Sequence, residues 1–169
     1  MKVGAMDLVS AGKNLTIEAL HGNNSIFRSG VFKITDPNFA NYKLRASVTT
    51  TADTPIEVYE FSEKHCIDNS LPGMISNVSI FLSLNSDLDK LVLTQTQIIR
   101  FCIKYPELLC WHGYGTFFLI KVDGEYLVVH IHGIDAPGQM DAMLGYLEDE
   151  VIFDAGYHRR IVVPLISKS

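Results

Sequence analysis

Residues 116 to 132 read TFFLIKV-DG-EYLVVHIH, two β-rich runs joined by Asp123-Gly124. Asp-Gly is a favoured pair for a two-residue type I′ turn, whose positive φ angles match the twist of antiparallel strands. The segment predicts a β-hairpin, and a chain containing it must build a sheet.

The surrounding sequence adds more strands than helices. SIFRSGVFKI at 25–34 reads as extended and closes on the turn residues Asp36-Pro37-Asn38. YKLRASVTT at 42–50 and IEVYEF at 56–61 alternate like strands, and SNVSIFLSL at 76–84 has strand composition. LTIEAL at 15–20 fits a short helix or an entering strand, and 68–73 reads as loop. The principal helix is expected between Thr94 and Tyr105. Thr94 can cap it, Ile98, Phe101, Cys102 and Tyr105 share a face, and Pro106 ends it. A weaker amphipathic helix is expected at 87–93, and a short helix or structured loop at 137–147. VIF and RRIVVPLI, either side of Asp154-Ala155-Gly156, read as a last pair of strands. Runs of strands without strict strand–helix alternation predict an α+β fold, with a mostly antiparallel or split sheet.

The 169 residues suit one domain, expected to span 1–169 without a linker. Apolar residues are 47% and charged residues 20%, which excludes disorder by composition. A net charge of -5 argues against general nucleic-acid binding, which needs cations for phosphates. Cys66, Cys102 and Cys110 form no Cys-x-x-Cys motif, so thiols in a reducing compartment are expected. No run reaches the length of a transmembrane helix, and the first twenty residues lack the apolar segment of a secretory signal. The expected location is the cytoplasm, away from membranes.

His130 and His132 share a strand face by the two-residue period, where two imidazoles can hold a metal. The spacing of Gly124, five residues, then His130-Ile131-His132 resembles the first motif of cupin barrels. It departs at the Glu that motif expects further on, where this chain has Asp135. His158 or His112 would be a third ligand, but the pair is expected to lack the third and fourth ligands of a closed site, so no metal is expected. Gly-x-Ser-x-Gly, a phosphate-cradling glycine loop and a recognisable cysteine nucleophile motif are all absent.

Glu148 and Glu150 alternate ahead of the apolar triplet Val151-Ile152-Phe153, so an extended backbone would project both carboxylates from one face. The segment Glu148-Asp149-Glu150-Val151-Ile152-Phe153-Asp154-Ala155-Gly156 resembles the third signature of mono-ADP-ribosyltransferases. Ile26-Phe27-Arg28-Ser29-Gly30 is similar to that family's early aromatic-Arg motif. Phe81-Leu82-Ser83-Leu84-Asn85-Ser86 is similar to the middle Ser-Thr-Ser motif but lacks the Thr, and Thr49-Thr50-Thr51 is a rival counterpart. The resemblance implies NAD as substrate, Glu150 as the catalytic carboxylate, Ser83 supporting it and Arg28 on the dinucleotide. Glu148 would orient an arginine of a target protein, and Tyr146 would sit in the loop that meets that target. The chemistry suits these residue types. Cleaving the nicotinamide–ribose bond develops positive charge that a carboxylate stabilises, and the Arg fork matches phosphate oxygens.

The alternative class is a non-enzymatic protein-binding module, such as an inhibitor, an immunity-type partner or an assembly protein. Trp111-His112-Gly113-Tyr114 is an aromatic segment of the kind that anchors interfaces.

Overall fold

A computed structural model describes residues 8–19, 30, 32–33, 51–61, 73–110, 115–133, 140–153 and 159–166. The expected hairpin is present as β5 (Gly115–Val122) and β6 (Glu125–Gly133). Asp123 (φ 50°) and Gly124 (φ 85°) both take the positive φ of a type I′ turn. Five more strands join it: β1 (Leu8–Ile17), β2 (Phe32–Lys33), β3 (Thr54–Phe61), β7 (Met140–Tyr146) and β9 (Arg160–Pro164). The seven run in the order β1-β3-β9-β5-β6-β7-β2. Separately, β4 (Gly73–Ser76) and β8 (Glu150–Phe153) form an antiparallel pair. Only β5–β9 and β2–β7 pair in parallel among the described strands, so the fold is α+β with a mostly antiparallel, split sheet.

The sheet carries apolar packing on both faces, which explains why its strands read as near-continuous hydrophobic runs. On one face Phe118, Ile120, Leu127, Val129, Ile131 and Val162 meet Ile98, Phe101 and Cys102 of the principal helix, Gln95–Lys104. The rings of Phe101 and Phe118 meet edge-on, 5.6 Å between centroids. On the other face Phe117, Leu119, Val128, Ile161 and Val163 pack with Ile80, Phe81, Leu91 and Leu147. Each large side chain so buried stabilises the fold by about 1.5–3 kcal/mol.

The principal helix begins as its sequence requires. Thr94 Oγ1 accepts from Gln97 N (3.1 Å) and Gln97 Oε1 accepts from Thr94 N (2.9 Å), a complete capping box. Its far end covers the edge strand β1: Lys104 Nζ and the Tyr105 hydroxyl both donate to Thr16 O, at 2.8 and 3.1 Å. No helix among the described residues is long and apolar enough to cross a membrane.

Several expected elements are corrected. Residues 76–84 are not a strand: α1 spans Asn77–Leu84, and the principal helix is hereafter α2. Ser76 caps α1, its Oγ accepting from Ser79 N, and the backbone N–H groups of Asn77 and Val78 donate to Asp149 O and Leu147 O. Tertiary contacts thus override the β-rich composition of NVSIFLSL. The expected helix at 87–93 is a 3-10 turn, Leu88–Leu91, followed by a parallel bridge from Val92 to Leu119. The segment 137–147 supplies β7 instead of a helix or loop, because Met140, Ala142 and Leu144 alternate into the core. LTIEAL at 15–20 resolves as the end of β1 through Ile17. The last two strands form but do not pair with each other, since β8 joins β4 while β9 inserts between β3 and β5. The turn at 36–38 and the strand expected at 42–50 lie outside the described residues, as does most of 25–34.

Candidate functional site

Strand register sets residues of four strands side by side on the second face of the sheet. Gly115 of β5 stands opposite His132 of β6, and His132 opposite Asp141 of β7. One step along, Phe117 faces His130, and His130 faces Met143. Arg159, immediately before β9, completes the group: its guanidinium carbon lies 5.3 Å from the centre of the Phe117 ring, a cation–π contact. His130 stacks on the same ring at 4.3 Å, with His132 at 6.3 Å from His130. The expectation that the two histidines share a face is met.

A missing side chain shapes this surface. A Cβ placed on Gly115 would stand 3.3 Å from His132 Cε1 and 3.0 Å from Phe117 Cε1, so only glycine leaves the imidazole its place. His132 is half-buried. Burial holds its pKa below the ordinary histidine value; the Asp141 charge opposes that shift and the Arg159 charge adds to it. The ring is therefore mainly neutral at pH 7, with one donor and one acceptor nitrogen, and it makes no hydrogen bond among the described residues. Asp141 Oδ1 is buried and also lacks a hydrogen-bond partner among the described residues. Such a group is uncommon in a folded protein and calls for an explanation. Met143, next to His130, is 43% exposed, so the surface is open on that side.

The turn holding Glu148 adjoins this face at Gly145. A Cβ there would lie 3.1 Å from Asp149 Oδ2 and 3.4 Å from His130 Nε2. Asp149 Oδ2 accepts from Tyr146 N (2.7 Å), and Asp149 N donates to Tyr146 O (3.2 Å). Fully buried Asn77 donates through Nδ2 to the same carbonyl (3.1 Å). Glu148 is exposed in this turn, so it does not alternate with Glu150 along an extended strand as expected. Glu150 is the first residue of β8, and the residue opposite it across the pair is Ser76.

The remaining expected site residues are scattered. Ser83 is exposed near the end of α1, where its hydroxyl donates to Ile80 O (2.6 Å) within its own helix. It lies seven residues beyond Ser76, about 10 Å along the helix. Tyr146 closes β7 instead of lying in a loop. Arg28, Thr49, Thr50, Cys66, Trp111, His112, Tyr114, Asp135 and His158 lie outside the described residues. Among the described residues no three His, Cys, Asp or Glu side chains are grouped to hold a metal. Buried Cys102 and Cys110 are poor nucleophiles: burial raises both thiol pKa values, that of Cys110 to about 11.

Asp141, Arg159 and Gly115 were not singled out from sequence. The alternation of Met140, Ala142 and Leu144 was the one signal that would have set Asp141 on the histidine face. Comparison with models of known families, with curated proteins and with solved structures finds no match to this chain.

Proposed function

We propose that this chain is a binding domain whose working surface is the Arg159–His132–Asp141 group. The carrying observation is a half-buried imidazole that makes no hydrogen bond among the described residues, set beside a buried carboxylate oxygen without a partner. A polar ligand satisfying both would recover the desolvation cost of about 1–3 kcal/mol that an unpaired buried group carries. The competing location is a cavity of about 520 Å³ at the β1–β3 edge, lined by Lys13, Leu15, Thr16, Ile56, Glu57 and Leu165. Histidine-ring and amide NMR during titration with pooled small metabolites discriminates the two. Shifts at His130, His132 and Asp141 are expected; shifts confined to Leu15, Ile56 and Leu165 would refute the assignment.

A second reading is mono-ADP-ribosyl transfer from NAD to an arginine of a protein target. What favours it is the backbone register that sets a serine, Ser76, opposite Glu150 at the start of β8. In this reading Ser76 takes the supporting role first expected of Ser83, with Glu148 exposed toward an acceptor. Its test is NAD turnover, lost in Glu150→Gln while the fold is kept. NAD left intact by the unaltered protein, with and without arginine acceptors, would end it.

A further inference from the structure

Resting on the binding reading above, we propose that the ligand is an uncharged polyol, held through two adjacent hydroxyls between Asp141 and His132. The two side chains are direct register partners on β7 and β6, so their Cβ atoms stand about 4.5–5.5 Å apart. That spacing lets an imidazole bond a carboxylate, yet no such bond forms. The His132 ring instead leans toward β5, its Cε1 and Nε2 reaching 3.3 and 3.6 Å from the place a Gly115 Cβ would take. Asp141 Oδ1 is thereby left without a partner among the described residues. The missing side chain at Gly115 thus keeps apart two polar groups that a ligand can bridge.

Charge decides the class of that ligand. Exposed Lys33 stands opposite Asp141 across β2 and β7. Phe32 before it packs into the other face with Met140, so Lys33 lies on the histidine face. Arg159, already engaged over the Phe117 ring, brings a second positive charge near His132. Two cations therefore flank the Asp141–His132 pair, and an added cation would lie between them. An anion would meet the unpartnered oxygen of Asp141 instead. An uncharged donor avoids both conflicts. A carboxylate only accepts, whereas a neutral imidazole presents a donor or an acceptor, and a pair of hydroxyls suits both whichever nitrogen carries the proton. Register sets the two bonds side by side, so the hydroxyls belong on neighbouring carbons, as on a sugar ring. Exposed Met143, two residues along β7, offers apolar surface to the C–H face of such a ring. Because Oδ1 is buried in the free fold, entry from this open side has to swing the half-buried His132 ring, which makes that ring the reporter.

Probes sharing one ring test this: cis-cyclohexane-1,2-diol, cyclohexanol, cyclohexylammonium, cyclohexanecarboxylate and cyclohexanecarboxamide. Each is titrated into the full chain while the His132 ring resonances are followed. The diol is expected to shift His132 and to bind at least about ten-fold more tightly than the other four. Asp141→Ala should bring the diol down to the level of cyclohexanol, with dispersed amide spectra reporting that the variant folds; the isosteric Asp141→Asn takes its place if it does not. Equal or tighter binding at His132 by the ammonium, carboxylate or carboxamide probe would overturn the polyol assignment and leave the binding surface standing. A diol advantage untouched by the Asp141 substitution would do the same. If none of the five shifts His132 at millimolar concentration, the polyol assignment fails. If the metabolite pools leave His132 unmoved as well, the binding reading fails with it.

Discussion

Gly115→Ala tests the packing of the candidate site directly. The new methyl would meet Phe117 Cε1 at 3.0 Å and His132 Cε1 at 3.3 Å, against about 3.5–4.0 Å for carbons at ease. Phe117 is fully buried and cannot swing away, whereas half-buried His132 can. Inserting a methyl into a filled space costs about 1–3 kcal/mol. Alanine also restricts the unfolded chain, returning about 0.4–1 kcal/mol. The net expectation is a loss of about 0.5–2 kcal/mol. At about 2–4 °C per kcal/mol for a chain this size, Tm should fall by about 1–8 °C. Urea and thermal unfolding measure the loss, and the ring resonances of His132 should move while those of residues on α2 stay. Adding His132→Ala should relieve part of the strain, a coupling of about 0.5 kcal/mol or more. A Gly115→Ala protein with raised Tm and an unmoved His132 ring would refute this account of the face.

Two further outcomes are expected. Because the folded-state pKa of His132 lies below its unfolded value near 6.5, the unfolded chain binds more protons as pH falls through that value. Its contribution to stability is therefore intact above about pH 6.5, declines as pH falls toward the folded pKa and levels off below it; His132→Gln should flatten that part of a stability–pH curve, and an unchanged slope would contradict it. Thr94→Ala removes the oxygen that accepts from Gln97 N and should cost about 0.5–2 kcal/mol in urea unfolding, with Thr94→Ser largely restoring it.

Local chemistry made part of this fold legible. Asp123-Gly124 dictates a turn within two residues, and Thr94 with Gln97 caps a helix within four. Helix α1 was opaque because the hydrogen bonds that anchor it reach Leu147 and Asp149, some seventy residues away. The site divides the same way. The histidine pair follows from strand periodicity, but Asp141 and Arg159 join it only through the order in which β7 and β9 are placed. The supporting serine expected for Glu150, Ser83, falls in 76–84, a segment of strand composition. Its helical state removes Ser83 from that neighbourhood and leaves Ser76 in register.

The placement of β9 governs how the protein must be assembled. It is the last strand in sequence among those described, yet it lies between β3 and β5, and Arg160 bonds to Glu60 across an interval of 100 residues. At about 5–20 residues per second, a ribosome needs about 5–20 s to traverse that interval. Until then the emerging β1–β3 pair and the β5–β6 hairpin each keep an unpaired edge toward the missing strand. Open edges of this kind are templates for joining other chains. A sheet closed by so late a strand is therefore expected to present open edges during synthesis, the stage at which such a chain is most prone to aggregate.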